Sequence, residues 1–312
     1  MAEKLAGLSD PRLWFMLLGG IMAIGHYSFD LPEWLEYSFF GILLISTGIP
    51  HGAIDHLIEE KTATTLNRSF SLDKFLATYL LQMGLYAVLW FFMPALSLSI
   101  FLILSAWHFG ESDFQPAPRH LMWKLSQALW GALVLFFILM RDPLLTGDII
   151  ARITQNHEFS VNLWLGAVSK SDLMYWVLGI GLIVSGMIAQ FRESISWRRN
   201  QIAYIILLLL IIYFLPLLPA FALYFGGWHA LNTFRHMSEY LGDGSSPLKL
   251  WKAALPFTML AFFFLITTGG VWYFTLSEID PVPILFIFIA IITLPHLVVM
   301  NKMFSNPTAA RE

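Results

Sequence analysis

Apolar stretches of about twenty residues recur along the whole chain, and each is long enough to cross roughly 30 Å of hydrocarbon as a helix. No polar stretch between them is large enough to make a separate soluble domain. Charged residues are 12% of the chain and hydrophobic ones 57%, whereas soluble domains carry about 25% charged residues. The 312 residues therefore read as a single transmembrane domain, 1–312, with an all-α, polytopic helical-bundle fold of about ten helices. The expected spans are 12–29, 37–58, 74–93, 95–114, 121–140, 172–190, 200–215, 217–240, 251–275 and 281–300. Breakers separate several of them: Asp30-Leu31-Pro32, Pro94, Pro116 and Pro118, Pro216 and Pro219, and Gly242-Asp243-Gly244. Spans seven and eight meet at Pro216 almost without a loop, so one long broken helix is the alternative there.

Basic residues set the orientation, because cytoplasmic connections carry the excess of Lys and Arg. Lys61, Arg68 and Lys74 lie in one connection, and Arg119 lies in another with Lys124 beside it. Arg192, Arg198 and Arg199, then Lys249 and Lys252, mark two more, and the tail has Lys302 and Arg311. The intervening short connections have none. The exception is 141–171, with Arg141, Arg152 and Lys170, whose Ile149–Ile153 stretch reads as interfacial. This places both termini in the cytoplasm and the chain in the cell membrane. The first apolar run, Leu13 to Phe29, lacks a small-residue cleavage site and reads as a retained helix, not a signal peptide. The absence of cysteine excludes disulfides and thiolate ligands, and a net charge of −3 argues against a nucleic-acid partner.

Five histidines fall inside these spans at one depth. His51 is in span two, His108 in span four, His229 and His236 in span eight, and His296 in span ten. All are in the C-terminal part of an even-numbered helix, so they share a layer in the cytoplasmic half of the bilayer. Ionisable groups at such depth usually face the protein interior and carry function. Imidazole is the commonest metal ligand, bound as the neutral form that an apolar setting favours. Ligating rings usually donate their second nitrogen to a carboxylate or carbonyl, and Asp55, Glu111 and Glu239 stand three or four residues after His51, His108 and His236, on the same helix faces. A lone buried histidine is more often a packing residue, and His26, outside the layer, is read so. His120 and His157 fall in connections. His56 reads as an interfacial, supporting residue, and His296 as a ligand, a partner of a ligand or a substrate contact. His229 and His236 share a face but stand about 10.5 Å apart along a regular helix. One ion could take both only if the helix is distorted, which Gly226-Gly227 would permit.

These motifs resemble the Brp/Blh-type β-carotene 15,15′-dioxygenases, membrane enzymes that make retinal for microbial rhodopsins. The resemblance covers most of the chain. It is carried by Pro50-His51-Gly52-Ala53 with Asp55, Trp107-His108-Phe109-Gly110 followed by Asp113, Tyr224-Phe225 leading to Trp228-His229, Arg235-His236, and Leu294-Pro295-His296, in that order. It implies ferrous iron held by His51, His108, His229 and His236. In span eight the family element has its histidines four apart, whereas here they are seven apart, which implies a local bulge if both bind the metal.

The resemblance further implies oxidative cleavage of β-carotene by O₂ at the central double bond, giving two molecules of all-trans retinal, with a functional link to a retinal-binding rhodopsin. The residues suit it. Imidazole-ligated ferrous iron with open positions binds O₂, and an apolar tunnel from the bilayer would admit the polyene without passage through water. Trp107, Phe109, Phe225 and Trp228, beside the proposed ligands, are the expected walls. The rival readings are a di-iron desaturase or hydroxylase, a haem protein or transporter, and a carotenoid-binding protein without turnover. The first expects clustered and adjacent histidines, which this chain lacks.

Overall fold

A chain surrounded by hydrocarbon can satisfy its backbone only within itself, and helices do this segment by segment. The computed structural model describes residues 10–29, 31–115, 120–193, 199–242, 247–276 and 281–305, and among them there is no strand. In order the helices are α1 (Pro11–Phe29), α2 (Glu33–Leu43), α3 (Asp55–Thr65), α4 (Leu72–Phe92), α5 (Pro94–Asp113), α6 (Leu121–Leu139), α7 (Pro143–Ile153) and α8 (Glu158–Ser169). There follow α9 (Ser171–Glu193), α10 (Arg199–Tyr213), α11 (Leu217–Ala222), α12 (Leu231–Leu241), α13 (Pro247–Leu276) and α14 (Pro281–Ser305).

Seven helical stretches among the described residues are long and apolar enough to cross a bilayer: Glu33–Thr65, Leu72–Phe92, Pro94–Asp113, Leu121–Leu139, Ser171–Arg192, Leu248–Thr267 and Val282–Ser305. The chain is an all-α, polytopic bundle. The expected spans at 12–29, 200–215 and 217–240 also form helices, but they lie outside that set; α10, for example, has 15 residues. Spans seven and eight are separate helices, because Pro216 sits in extended backbone (φ −60, ψ 164) and starts α11 afresh. Large apolar side chains such as Leu85, Phe91, Ile103, Ile180 and Phe263 stand exposed around the bundle, the surface that lipid covers.

The connection expected at 141–171 is helical rather than loop. Asp142 caps α7 by accepting from the Leu145 N–H at 2.9 Å, and Pro143 takes the first turn. Thr146, Ile149, Ile150 and Ile153 form its buried face, while Asp148 and Arg152 pair at 2.7 Å on the outside. The Trp164 indole of α8 donates to the Pro143 carbonyl at 3.0 Å, tying the two short helices together.

The tightest helix pair is α5 with α6. A Cβ added at Gly110 would run into the Gln127 backbone, and one at Gly131 into the Ala106 carbonyl. Only glycine lets the two backbones meet this closely. His108, two residues before Gly110, is therefore carried on a helix packed backbone to backbone against α6.

Candidate metal centre and its cavity

Four histidines converge on one buried point, each brought by a different segment. His108 comes from regular α5. His51 and His229 come from helix distortions, and His296 follows Pro295 inside α14. After α2 the helix loosens into a π-turn, Leu44–Gly48, in which the Ile49 N–H reaches back five residues to the Leu44 carbonyl at 2.8 Å. Pro50 has no N–H to continue the ladder, and a 3₁₀ turn, Gly52–Ile54, leads into α3. Between α11 and α12 a second π segment runs from Leu223 to Ala230. Such bulges often mark functional sites because they turn side chains off the regular helical register. The two π segments press together at Gly226, where a Cβ would stand 2.8 Å from the Leu43 carbonyl oxygen and 3.0 Å from Thr47 Oγ1. That contact brings His51 and His229 to 5.5 Å between ring centroids.

One ring nitrogen from each of His51, His108 and His296 lies within 4.8 Å of the others. The His229 ring is 4.8 Å from that of His108. All four residues are buried. His296 Nδ1 donates to the Asp55 carboxylate at 2.8 and 3.1 Å, and Asp55 also accepts from the Tyr79 hydroxyl at 3.0 Å. His51 Nδ1 donates to the Gly48 carbonyl. Each of those bonds fixes the ring's tautomer and leaves Nε2 as the ligand atom, the usual partnership around a bound metal. His296 Nε2 and both ring nitrogens of His108 and of His229 are buried without a hydrogen-bond partner. Burying an unpaired polar group costs about 1–3 kcal/mol, so five such nitrogens in one place point to a ligand. A metal ion would satisfy one nitrogen on each of these three rings, and an imidazole-rich donor set suits zinc, copper, iron or nickel.

The four rings form part of the wall of a cavity of about 280 Å³. Phe109 and Phe225 flank them, with centroids 4.8 and 5.9 Å from His229, and both line the cavity. Asp55 lines it beside His296, and half-buried His56 lines it with its ring 4.7 Å from Phe257.

Other expected site residues lie elsewhere. His236 is not brought to the cluster. It sits nearly two turns beyond His229, where its Nε2 donates to the Ser112 carbonyl at 3.1 Å and its ring meets Phe304. The π segment ends at Ala230, one residue past His229, and regular helix carries His236 onward, while His296 joins His51 and His108 in the cluster. Glu239 goes with His236 and is exposed (65%), 3.6 Å from that ring's Nδ1. Glu111 is buried, but it is not among the residues lining the cavity. Trp107 and Trp228 do not line it either. Trp107 precedes His108 by one position, about 100° around the helix. The Trp228 indole instead donates to Asp113 at 2.9 Å. The sequence reading assigned no role to Tyr79 or Asp113. Tyr79 lies in span three, which holds no histidine. Asp113 ends a matched motif, but nothing in its neighbourhood along the chain indicates its partners.

Fold and site together define a multi-pass membrane protein with a histidine centre able to hold a metal ion at the wall of an apolar cavity. The family model described as β-carotene 15,15′-dioxygenase matches residues 42–304, and the chain belongs to that family. It is 26% identical over 274 residues to a protein named β-carotene 15,15′-dioxygenase from uncultured marine bacterium 66A03, covering 86% of this chain and 94% of that one. It is 25% identical over 295 residues to the probable β-carotene 15,15′-dioxygenase Blh of Halobacterium salinarum, covering 82% and 81%. No solved structure matches it.

Proposed function

We propose that this chain cleaves β-carotene with O₂ at the central 15,15′ double bond, giving two all-trans retinal, with ferrous iron held by His51, His108, His229 and His296. The observation that carries the reading is the set of unpartnered ring nitrogens at the wall of an apolar cavity, supported by the family match. The ligand set departs from the resemblance at one position, with His296 in place of His236.

Bound iron with imidazole ligands and open positions would supply the activation of O₂. The protein's part is positioning. Asp55 holds the His296 ring and the Gly48 carbonyl holds the His51 ring. Phe109 and Phe225 present flat apolar faces beside the cluster, suited to a polyene. The lining is almost entirely apolar and excludes water from the reacting carbons. In the overall change one C=C bond and the O–O bond break and two C=O bonds form, so no protein group has to supply or remove a proton. Both termini lie in the cytoplasm of the host cell on this reading, and a retinal-binding rhodopsin is the natural consumer of the product.

The test is expression in a bacterial host that accumulates β-carotene, with the extracted pigments separated by chromatography. Bleached cells containing retinal support the reading. Cells that stay orange beside an active control enzyme overturn it. His236 gives a sharper check on the ligand set. His236→Ala is expected to keep its iron and at least about half of its retinal formation, since the lost bond is to a single carbonyl and is worth about 1 kcal/mol. Loss of iron in purified His236→Ala, measured by elemental analysis, would restore His236 to the ligand set.

A further inference from the structure

The cavity lining is of two kinds. Part of it also stands on the outer apolar surface: Leu80 of α4, 55% exposed, and Leu260 and Phe264 of α13, 47% and 49% exposed. An end there faces lipid. Elsewhere the lining residues Leu98, Ile138, Ile149, Ile150 and Ile153 are all more than nine-tenths buried. An end there is closed among the described residues.

The closed end is made by α7. Its 11 residues are too few to span a bilayer, and its Ile149–Ile153 stretch has no part in the metal centre. Yet its buried residues, at spacings of three and four, all line the cavity, and α7 packs on α5 and α14, the helices that carry His108 and His296. Leu98 and His108 are ten residues apart on regular α5, roughly 15 Å of helix rise, a length on the scale of one half of a carotenoid.

We propose that α7 is the floor of a one-ended substrate tunnel and that the depth from Ile149, Ile150 and Ile153 to the histidines selects which double bond is broken. The inference rests on the reading of the chain as a carotenoid-cleaving enzyme. A polyene is a rigid rod. It enters from the lipid side ring first, passes the histidines, and stops when its leading ring meets the floor. The bond that then lies at the metal centre is the one cleaved. A symmetrical carotenoid cut at its centre needs only one half measured, so the other half can remain at the open mouth. The atom balance is the same for any bond of the polyene: one C=C and one O–O bond break, and two C=O bonds form.

The experiment uses the full-length protein in the β-carotene-accumulating host. It compares wild type, Ile150→Ala, Ile153→Ala, Ile150→Trp and the exposed-face control Leu144→Ala, with iron content read on each purified protein. Deepening the floor with either floor alanine variant is expected to give a second product pair beside retinal, one apocarotenoid longer and one shorter, at a tenth of the total or more. Raising it with Ile150→Trp is expected to lower turnover at least tenfold while iron is retained. Leu144→Ala should match wild type. If wild type makes retinal and both floor alanine variants make only retinal at its rate, the floor assignment is overturned, as it is by an iron-loaded Ile150→Trp with full turnover. Should Ile150→Trp lose its iron, the alanine variants decide alone. If wild type makes no retinal, the cleavage reading has failed and the floor assignment falls with it.

Discussion

His108→Ala is expected to abolish retinal formation and to leave the purified protein without iron, while the metal-free fold changes little. His108 is the sole contribution of α5 to the histidine cluster, on the helix that its glycine contact with α6 packs closely. Neither of its ring nitrogens has a partner, so removing the ring strands no hydrogen bond. The variant loses packing, a large-to-small change of about 2–5 kcal/mol, but it also removes an uncompensated polar group that costs about 1–3 kcal/mol. The two effects largely offset each other. Iron binding, however, stabilises only a protein that can hold it, by about 2.7 kcal/mol at a hundredfold excess over Kd. Thermal unfolding with and without ferrous iron should therefore show a metal-dependent rise in wild type and none in His108→Ala. Asp55→Asn acts through His296 and should be milder, about 10–100-fold in metal affinity. A His108→Ala protein that binds iron and makes retinal would sink the site.

The sequence groups the histidines but does not show which of them meet. Apolar spans and basic connections placed His51, His108, His229, His236 and His296 in one layer, because depth follows from position along a helix. Which of them meet depends on rotation and on rise: two π segments and two prolines set the rotation, while His236, on the face of His229, lies nearly two turns further along. No periodicity reveals a π-turn in advance. The seven-residue gap between His229 and His236 did raise the question: the distortion ends at Ala230, one residue past His229, and regular helix from Leu231 carries His236 away. Asp55 was found from its offset to His51, yet its hydrogen bond goes to His296, from the other end of the chain. A helical offset shows which residues share a face but not which partner that face will meet. Trp107 and Trp228 show the same limit in reverse, since each neighbours a cluster histidine in sequence and points elsewhere.

The second large effect is expected at Asp113, and it is one of stability rather than chemistry. The carboxylate accepts from Trp130 Nε1 at 2.8 Å, Tyr224 Oη at 2.9 Å, Trp228 Nε1 at 2.9 Å and Asn232 Nδ2 at 3.2 Å. A carboxylate has about four lone-pair sites, and here four donors fill them. The donors come from α6, the second π segment and α12. Asn232 also accepts from Arg12 Nη1 at 2.7 Å, which draws α1 into the same network. Asp113 thus clamps the segment that carries His229 against the helix that carries His108. An amide at this position keeps one acceptor oxygen and turns an NH₂ toward donors that need an acceptor. Asp113→Asn therefore strands two of the four, at about 1–3 kcal/mol each, a large part of the roughly 5–15 kcal/mol that holds a domain folded. The loss should appear as a lowered unfolding temperature in the metal-free protein, where His108→Ala changes little, and that contrast separates the clamp from the ligand. Tyr224→Phe, which removes one donor and strands only part of the carboxylate's capacity, should fall between the two. An Asp113→Asn protein that unfolds at the wild-type temperature would mean that the network is incidental and that the π segment is held by packing alone.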